Sequence, residues 1–331
     1  MSRWAFLKEA ILRLLKEARP DYLSGEEICK SLDVSRTAVW KHIQALREEG
    51  YEIEARPKAG YLLTGVPDRL FPEEIRHGLA AQLFGREIFY RDSVPSTNDL
   101  AKEMARRGAG EGAVVVAEEQ TAGKGRLGRG WHTPRYKGLC FSLILYPPVV
   151  PSEAAQVTML AAVAVASAIR DVAGVPAGIK WPNDILVNSK KICGILTELS
   201  AEMDKINYLV TGIGINVNQD PDDFPGELRS VATSVKIEAG RAMPRLKLLQ
   251  ACLVEFEKWY AVWLGQGFSP VLARWKEMSV SLHCPVRIST LKECWDGWAE
   301  DVDQDGALLL RLSDGSLKRL VSGEVTLRLG T

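Results

Sequence analysis

The chain is poor in the side chains that metal and redox chemistry need. Its 331 residues include four histidines and six cysteines. No Cys-x-x-Cys pair occurs and no histidines fall at metal-ligand spacing, so zinc-finger and thioredoxin-like readings are excluded and no fixed protein metal site is expected. Cys29, Cys140, Cys193, Cys252, Cys284 and Cys294 are scattered, three of them in apolar runs, as free thiols of a reducing cytoplasm would be. Net charge is absent too: 42 Lys and Arg balance 42 Asp and Glu. The whole molecule is therefore no nucleic-acid coat, and any DNA affinity must come from a local patch. The N-terminus reads as a charged helix rather than a signal peptide. The most apolar stretch, Met159 to Ile169, is bounded by Gln156 and Arg170, falls short of a bilayer span and reads as a buried helix, so no membrane is expected. Repeats and low-complexity tracts are missing. The length predicts two or three domains.

What the chain does have is a loop of alternating glycines and cations, Gly123-Lys124-Gly125-Arg126-Leu127-Gly128-Arg129-Gly130-Trp131, directly after the apolar strand Ala113 to Ala117. Glycine lets backbone approach a ligand closely, and interleaved cations supply charge where a carboxylate or phosphate must sit. Gly123-x-Gly125-x-x-Gly128 matches the letters of the dinucleotide fingerprint. That motif needs a helix opening at its third glycine, and here Thr133, Pro134 and a second strand, Leu139 to Leu145, follow. No Gly-Lys-Ser/Thr closes the loop, which excludes a Walker A motif. On its own, such a loop can also be solvated surface.

Residues 1–65 read as a winged helix-turn-helix domain. Trp4, Leu7, Ile11, Leu14, Leu15 and Ala18 recur at helical spacing up to Pro20. Ser24 caps a short second helix, and Ser35 caps a third with Val39, Ile43 and Leu46 inward and Gly50 at its end. Two short strands around Arg56-Pro57-Lys58-Ala59 make the wing. Residues 1–66 hold 11 basic against 10 acidic side chains, yet Ser35 to Arg47 carries no acid. Ser35, Arg36, Thr37, Trp40, Lys41 and Gln44 on the third helix, with Arg56 and Lys58 in the wing, are the candidate DNA contacts: hydrogen-bonding groups near a helix N-terminus for base edges, cations beside them for phosphates. A solvated amphipathic helix gives the same charge pattern, and Trp40 reads equally as partly buried core. Thr64 to Pro72, with two prolines and a glycine, is the linker.

Residues 66–280 alternate helices and strands irregularly, an α+β layout with a mixed sheet. A helix is expected from Pro72 to about Phe84, another after the cap Ser96, a long alanine-rich one from about Ser152 to Val172, and others at Arg245 to Leu264 and Val271 to Met278. Residues 281–331 give short strands with Asp-Gly turns at 296–297, 305–306 and 314–315, and a small core from Trp295, Trp298 and Leu308 to Leu310.

Five motifs then occur in order: Ser96-Thr97-Asn98, Gln120-Thr121-Ala122-Gly123-Lys124-Gly125-Arg126, Lys180-Trp181-Pro182-Asn183-Asp184, Lys191-Ile192-Cys193-Gly194-Ile195-Leu196 and Gly212-Ile213-Gly214-Ile215-Asn216. Together with the winged helix they resemble biotin protein ligases of the bifunctional class, which also repress the biotin operon. The resemblance covers essentially the whole chain. It implies a class II synthetase-like catalytic domain, a C-terminal SH3-like barrel, to which Gly323 to Arg328 would belong, and a cytoplasmic location. It implies a two-step reaction, in which biotin and ATP give biotinyl-5′-adenylate and the acyl group then passes to a lysine of a biotin carboxyl carrier domain. Ser96, Thr97, Asn98, Gln120, Gly123, Lys124, Gly125, Arg126, Lys191, Gly194 and Gly212 would meet biotin. Arg126, Arg129, Trp131, Asn183, Asp184 and Asn216 would meet ATP, with Mg2+ carried by ATP; Asn183, Asp184 and Asn216 are candidate contacts for it, Asp184 first. Lys191 and Arg126 are the candidate catalytic cations. By its residues alone, Ser96 is first a helix cap and Lys191 a turn lysine. Position 124, arginine in many relatives, keeps its charge here without the guanidinium fork. The acidic, proline-bearing segment after Asn216 is expected to be mobile. The implied partners are the carrier domain, operator DNA and a second copy of the chain paired through the strand Lys191 to Leu199. Lipoate ligases, a repressor with a decayed site, and a ligase whose winged helix regulates nothing are the competing readings.

Overall fold

In the computed structural model, which describes residues 3–203, 205–290 and 293–327, the chain divides into two units, Met1–Arg69 and Leu70–Thr331. The first contains helices α1 (Arg3–Glu17), α2 (Gly25–Leu32) and α3 (Arg36–Glu48), then strands β1 (Glu52–Arg56) and β2 (Gly60–Gly65). The capping chemistry is as expected. Ser24 and Glu27 form a reciprocal capping box on α2, and Ser35 Oγ accepts from Ala38 N on α3. Gly50, at φ +99°, reverses the chain after α3. Ile11, Leu12, Leu15, Ile28, Val39, Ile43 and Leu46 fill the core. Trp4 is not part of it: it is half exposed and packs tilted against His42, ring centroids 3.9 Å apart. His42 is buried, and that desolvation, with Lys8 nearby, holds its pKa below the ordinary histidine range.

The second unit begins with α4 (Pro72–Arg76), much shorter than the expected helix to Phe84. Gly78 at φ +76° ends the helical run. The backbone amides of Gln82, Leu83 and Phe84 instead donate to the carboxylate of Glu257. Strand β3 (Ile88–Arg91), helix α5 (Thr97–Arg106) and strand β4 (Val114–Ala117) follow. The glycine–cation segment is a small antiparallel hairpin, β5 (Gly123–Lys124) with β6 (Gly130–Trp131), turning through Leu127 and Gly128 at positive φ. Then come β7 (Leu139–Leu145), α6 (Ala154–Ala173), β8 (Gly178–Lys180), β9 (Asp184–Val187), β10 (Lys190–Glu202), β11 (Lys205–Ile215), α7 (Val235–Ala239), α8 (Arg245–Gln266) and α9 (Ser269–Met278).

The seven strands run in the order β3-β4-β7-β11-β10-β9-β8, with β3 and β4 parallel and the rest antiparallel, so the sheet is mixed. Strand alternation explains its two faces. Val114, Val116, Phe141, Leu143, Leu209 and Ile213 pack toward α6, while Val115, Ile144 and Val210 meet Ala101, Met104 and Ala105 of α5. By length and composition the segment carrying α6 could cross a membrane, longer than the apolar run legible in the sequence; 72% of its apolar window is buried inside the protein, which makes it a core helix. On the α5 face, next to that helix's N-terminus, Cys140, Ser142, Gly194, Gly212 and Gly214 surround a single larger side chain, Leu196. Small side chains there leave a hollow.

A five-stranded antiparallel sheet closes the unit, in the order β15 (Leu317–Leu320), β14 (Leu308–Arg311), β13 (Cys294–Val302), β12 (Pro285–Ser289), β16 (Glu324–Leu327). Asp305-Gly306 and Asp314-Gly315 make its turns, both glycines at φ +83°. Asp296-Gly297 does not: it lies inside β13, where Gly297 gives room to Leu310 and the Arg311 carbonyl of the next strand. Trp298 points outward, 47% exposed, so the small core rests on Val286, Ile288, Ala299, Leu308 and Leu310. Arg328 lies outside the described residues. Trp181, buried, donates its indole N–H to the Gly306 carbonyl at 3.0 Å and joins this sheet to the larger one.

Candidate active site

The hollow is a cavity of about 550 Å³, walled by the first turn of α5, the β5–β6 hairpin, the Lys180 to Asp184 turn, the segment Phe224 to Ala232 and the Gly323 to Leu327 edge of the small sheet. Its floor is a polar chain. Thr97 donates its backbone N–H (2.7 Å) and its hydroxyl (3.0 Å) to Gln120 Oε1. The Ser142 hydroxyl lies 2.8 Å from Thr97 Oγ1 and 2.7 Å from Asn98 Oδ1, donating between them. Asn98 Nδ2 donates to the Leu196 carbonyl (3.1 Å) and to Glu198 (2.8 Å). Ser96 caps α5 through Asp99 N. Gly212 is required here, because a Cβ would collide with the Asn98 carboxamide.

Trp131 lies across this floor. A Cβ on Gly214 would strike its indole, and one on Gly194 would come within 3.1 Å of it. The cross-strand pair Gly194–Gly214 thus forms a seat for the ring. Gly214→Ala should unseat Trp131 and raise the KM for the ligand bound there roughly tenfold, as overpacking of about 1–3 kcal/mol implies. Steady-state kinetics of the variant checks this, and an unchanged KM would show that the seat does not matter.

Five cations face the cavity. Lys124 pairs with Asp99 at 2.6 Å, and Arg129 pairs through both ends of its guanidinium with Glu324. Lys191 Nζ lies 2.6 Å from Asp184 Oδ1 and 5.6 Å from the Trp131 ring centre, with Lys180 3.5 Å from Asp184 Oδ2. Arg126 differs: its bonds run to neutral oxygens, Asn183 Oδ1 (3.2 Å) and the Gly323 carbonyl (3.4 Å). Burial lowers its pKa from the ordinary value, against the pull of Asp184 and Glu324. An arriving anion can take Arg126 without breaking an ion pair. Lys191 reaches the cavity because the β9–β10 register shifts between Lys191 and Cys193, a bulge that re-aims the strand, and because its backbone pairs with Val231 and Thr233.

Several expected contacts are already committed within the protein. Both oxygens of Asp184 face lysine amines, and among the described residues no group of three His, Cys, Asp or Glu side chains is placed to hold a metal ion. Asp184 thus offers a Mg2+ no oxygen that is not already facing a lysine amine. Asn216 is buried, with Nδ2 on the Thr233 carbonyl and Oδ1 on Gln219, so it braces the following segment. That segment, expected to be mobile, is held: Asp220 by Lys236, Asp223 by Lys137, and Phe224 buried against the cavity. Ser142 and Glu198 went unread in the sequence, and Lys180 and Glu324 stood in motifs there without a role. Ser142 alone left a signal, as the one hydroxyl in an apolar strand.

On α3, Ser35, Arg36, Thr37, Trp40 and Lys41 are exposed, Trp40 at 52%, and Gln44 is half-buried. Arg47 turns inward to the Ile53 carbonyl. In the wing Arg56 and Lys58 are exposed, Arg56 stacked over Tyr22.

Three family models match the chain: an HTH domain over residues 8–62, the biotin/lipoate A/B protein ligase family over 90–216, and a biotin protein ligase C terminal domain over 285–328. The bifunctional ligase/repressor BirA of Bacillus subtilis (strain 168) is 43% identical over 97% of this chain and 98% of its own. The biotin protein ligase from Aquifex aeolicus, solved in complex with biotin and ATP, is similar with a TM-score of 0.64 and 27% identity, covering 74% of this chain and all of that one. That from Leishmania major, solved with biotinyl-5-AMP, has a TM-score of 0.51 and 25% identity over 72% of this chain and 99% of its own.

Proposed function

The chain belongs to the bifunctional biotin ligase/repressor family, and on that premise we propose how its residues divide the work. It is an ATP-dependent biotin–protein ligase with a DNA-binding helix-turn-helix domain. Biotin enters with its ring system on the floor of Thr97, Asn98, Gln120 and Ser142, under Trp131, and its carboxylate toward Lys191 and Arg126. Gly123, Gly125, Gly194 and Gly212 keep the walls close to it. ATP lies along Arg126, Arg129 and Asn183, bringing Mg2+ with it. A carboxylate oxygen attacks the α-phosphorus, the bond to the β-phosphate breaks and pyrophosphate leaves. Lys191 and Arg126 stabilise the charge that develops, and closure by the hairpin excludes water from the acyl-adenylate. The amine of a carrier-domain lysine then attacks the acyl carbon, loses a proton and releases AMP. The observation that supports this reading most directly is Arg126, poised over the cavity without a carboxylate partner among the described residues.

Using ATP and operator DNA, the protein works in the cytoplasm. Beyond Ile195 the outer edge of β10 pairs with no strand among the described residues, whereas Lys190 to Gly194 is covered by β9. The pairing of two copies therefore uses Leu196 to Glu202, not the strand from Lys191. The adenylate-loaded dimer sets two α3 helices on an operator, with Arg36 and Lys41 on phosphates and bases. A gel shift with DNA upstream of the host's biotin genes tests this. It should require biotin and ATP together, and Arg36→Ala should weaken it about tenfold and lower its salt slope by about one. Absence of any shift, while an acceptor peptide still gains biotin, would remove adenylate-dependent repression.

A further inference from the structure

Glu198 stands where three parts of the site meet. It lies on the α5 face of β10, opposite Thr197, whose hydroxyl turns to Thr158 of α6. Its Oε2 accepts from Asn98 Nδ2 at 2.8 Å and its Oε1 from Lys102 Nζ at 2.9 Å. Asn98 and Lys102 are four residues apart on α5, the spacing that brings two side chains to one face of a helix. Lys102 also holds Asp99 Oδ1 at 2.9 Å, and Asp99 Oδ2 holds Lys124 Nζ of the hairpin at 2.6 Å. On the other side, Asn98 Oδ1 accepts from Ser142. A continuous polar chain thus runs from the cavity floor, through Glu198, to the first cation of the hairpin.

Each link is specific. Asn98 has both amide protons engaged, so its carboxamide can turn only if Glu198 or the Leu196 carbonyl lets go. Burial alone would raise the Asp99 pKa, but the hydrogen bonds from Lys124 and Lys102 outweigh it and hold the carboxyl below its usual range. Lys102 is drained by desolvation and restored above its usual value by Glu198 and Asp99. A lysine at position 124 makes a point-charge contact, so its place is set by the acid it meets and not by a bidentate fork.

We infer that Glu198 is a positioning residue for biotin capture: it fixes the Asn98 carboxamide in the floor and, through Lys102 and Asp99, the resting place of Lys124 in the hairpin. The inference rests on the proposed biotin site. The dependence should appear in biotin and not in ATP, because the chain touches the floor and the hairpin's first strand while Arg126, Arg129 and Asn183 lie outside it.

The test uses the full-length chain and pyrophosphate release, with KM for biotin, KM for ATP and kcat measured separately, and thermal midpoints to show that each variant is folded. Glu198→Ala removes both bonds and should raise the biotin KM about tenfold, the low end for a lost charge-assisted hydrogen bond, with the ATP KM within about twofold. Glu198→Gln keeps an acceptor for Asn98 but drops the charge facing Lys102, and should give a smaller rise of about threefold. Asp99→Asn should behave likewise. Since both interrupt one chain, Glu198→Gln/Asp99→Asn should be little worse than either alone, and these conservative variants carry the test if the alanine variant does not fold. Unchanged biotin KM in the Glu198 variants, kcat and both KM values moving together, or two effects that simply multiply would each overturn the inference. Gln120→Ala separates this from the site itself. If it raises the biotin KM while Glu198→Ala does not, only the positioning role fails; if neither does, the biotin site is elsewhere.

Discussion

Arg245→Leu is expected to cost the second unit about 3–5 kcal/mol, the usual consequence of removing one partner from a buried ion pair. Arg245 and Glu118 are both fully buried, 2.8 Å apart, and the same Nη1 donates to the Gly138 carbonyl at 3.1 Å. The other carboxylate oxygen of Glu118 accepts from Leu70 N, the first residue of this unit, and from the Tyr90 hydroxyl. One carboxylate thereby ties the start of the unit, β3, the end of β4 and the start of α8. The leucine variant fills much of the volume but strips Glu118 of the guanidinium facing it. Urea unfolding followed by circular dichroism should show the midpoint falling at unchanged slope. Glu118→Met/Arg245→Leu, which removes both charges, should recover most of the loss, because the desolvation cost of the pair disappears with it. A loss below about 1 kcal/mol in the single variant would mean that water or another cation reaches Glu118. The effect extends to function, since Glu118 precedes by two residues the Gln120 that receives Thr97.

This pair also marks the limit of what the sequence discloses. Glu118 and Arg245 are 127 residues apart, and neither has a local pattern that names the other. The elements with local causes were legible: Ser24, Ser35 and Ser96 as caps, the α3 stripe, the mixed α+β layout and the order of the five motifs. Where a distant group overrides local propensity, the sequence misleads. Pro72 begins a good helix that Gly78 and the Glu257 carboxylate cut short. Asp296-Gly297 has the letters of a turn, but its glycine is there because β14 passes close. Trp4 continues a helical stripe yet ends half in solvent, because His42 fills the place inside. The site follows the same rule. Glycines and cations in one loop announce an anion, but not that Asp184 would be taken by two lysines, nor that Asn98 would be held by an acid a hundred residues on.

The largest loss of activity is expected from Lys191→Ala. Its ammonium is aimed into the cavity by the β10 bulge, held at 2.6 Å by Asp184 and backed by the Trp131 face. An ion pair in the resting site does not silence such a group. Asp184 shares its charge between Lys191 and Lys180, so the three groups together carry one net positive charge toward the ligands. In the proposed reaction a carboxylate and a phosphate oxygen meet between Lys191 and Arg126; they repel each other until both cations are close, and charge at the α-phosphate is greatest in the transition state. Removing a preorganised donor of this kind lowers kcat by about 10²–10³. Biotin binding should fall much less, because in the proposed site the ring system rests on the floor residues and not on Lys191. Adenylate formation in a single turnover, with biotin affinity measured by calorimetry on the same variant, separates the two. Lys191→Arg should recover only part of the rate, since a fork does not reproduce a point charge at this distance from Asp184. Asp184→Asn should act in the same direction by loosening Lys191, with a smaller loss. If Lys191→Ala retains adenylation within fivefold, the burden passes to Arg126, whose bonds among the described residues run to neutral oxygens.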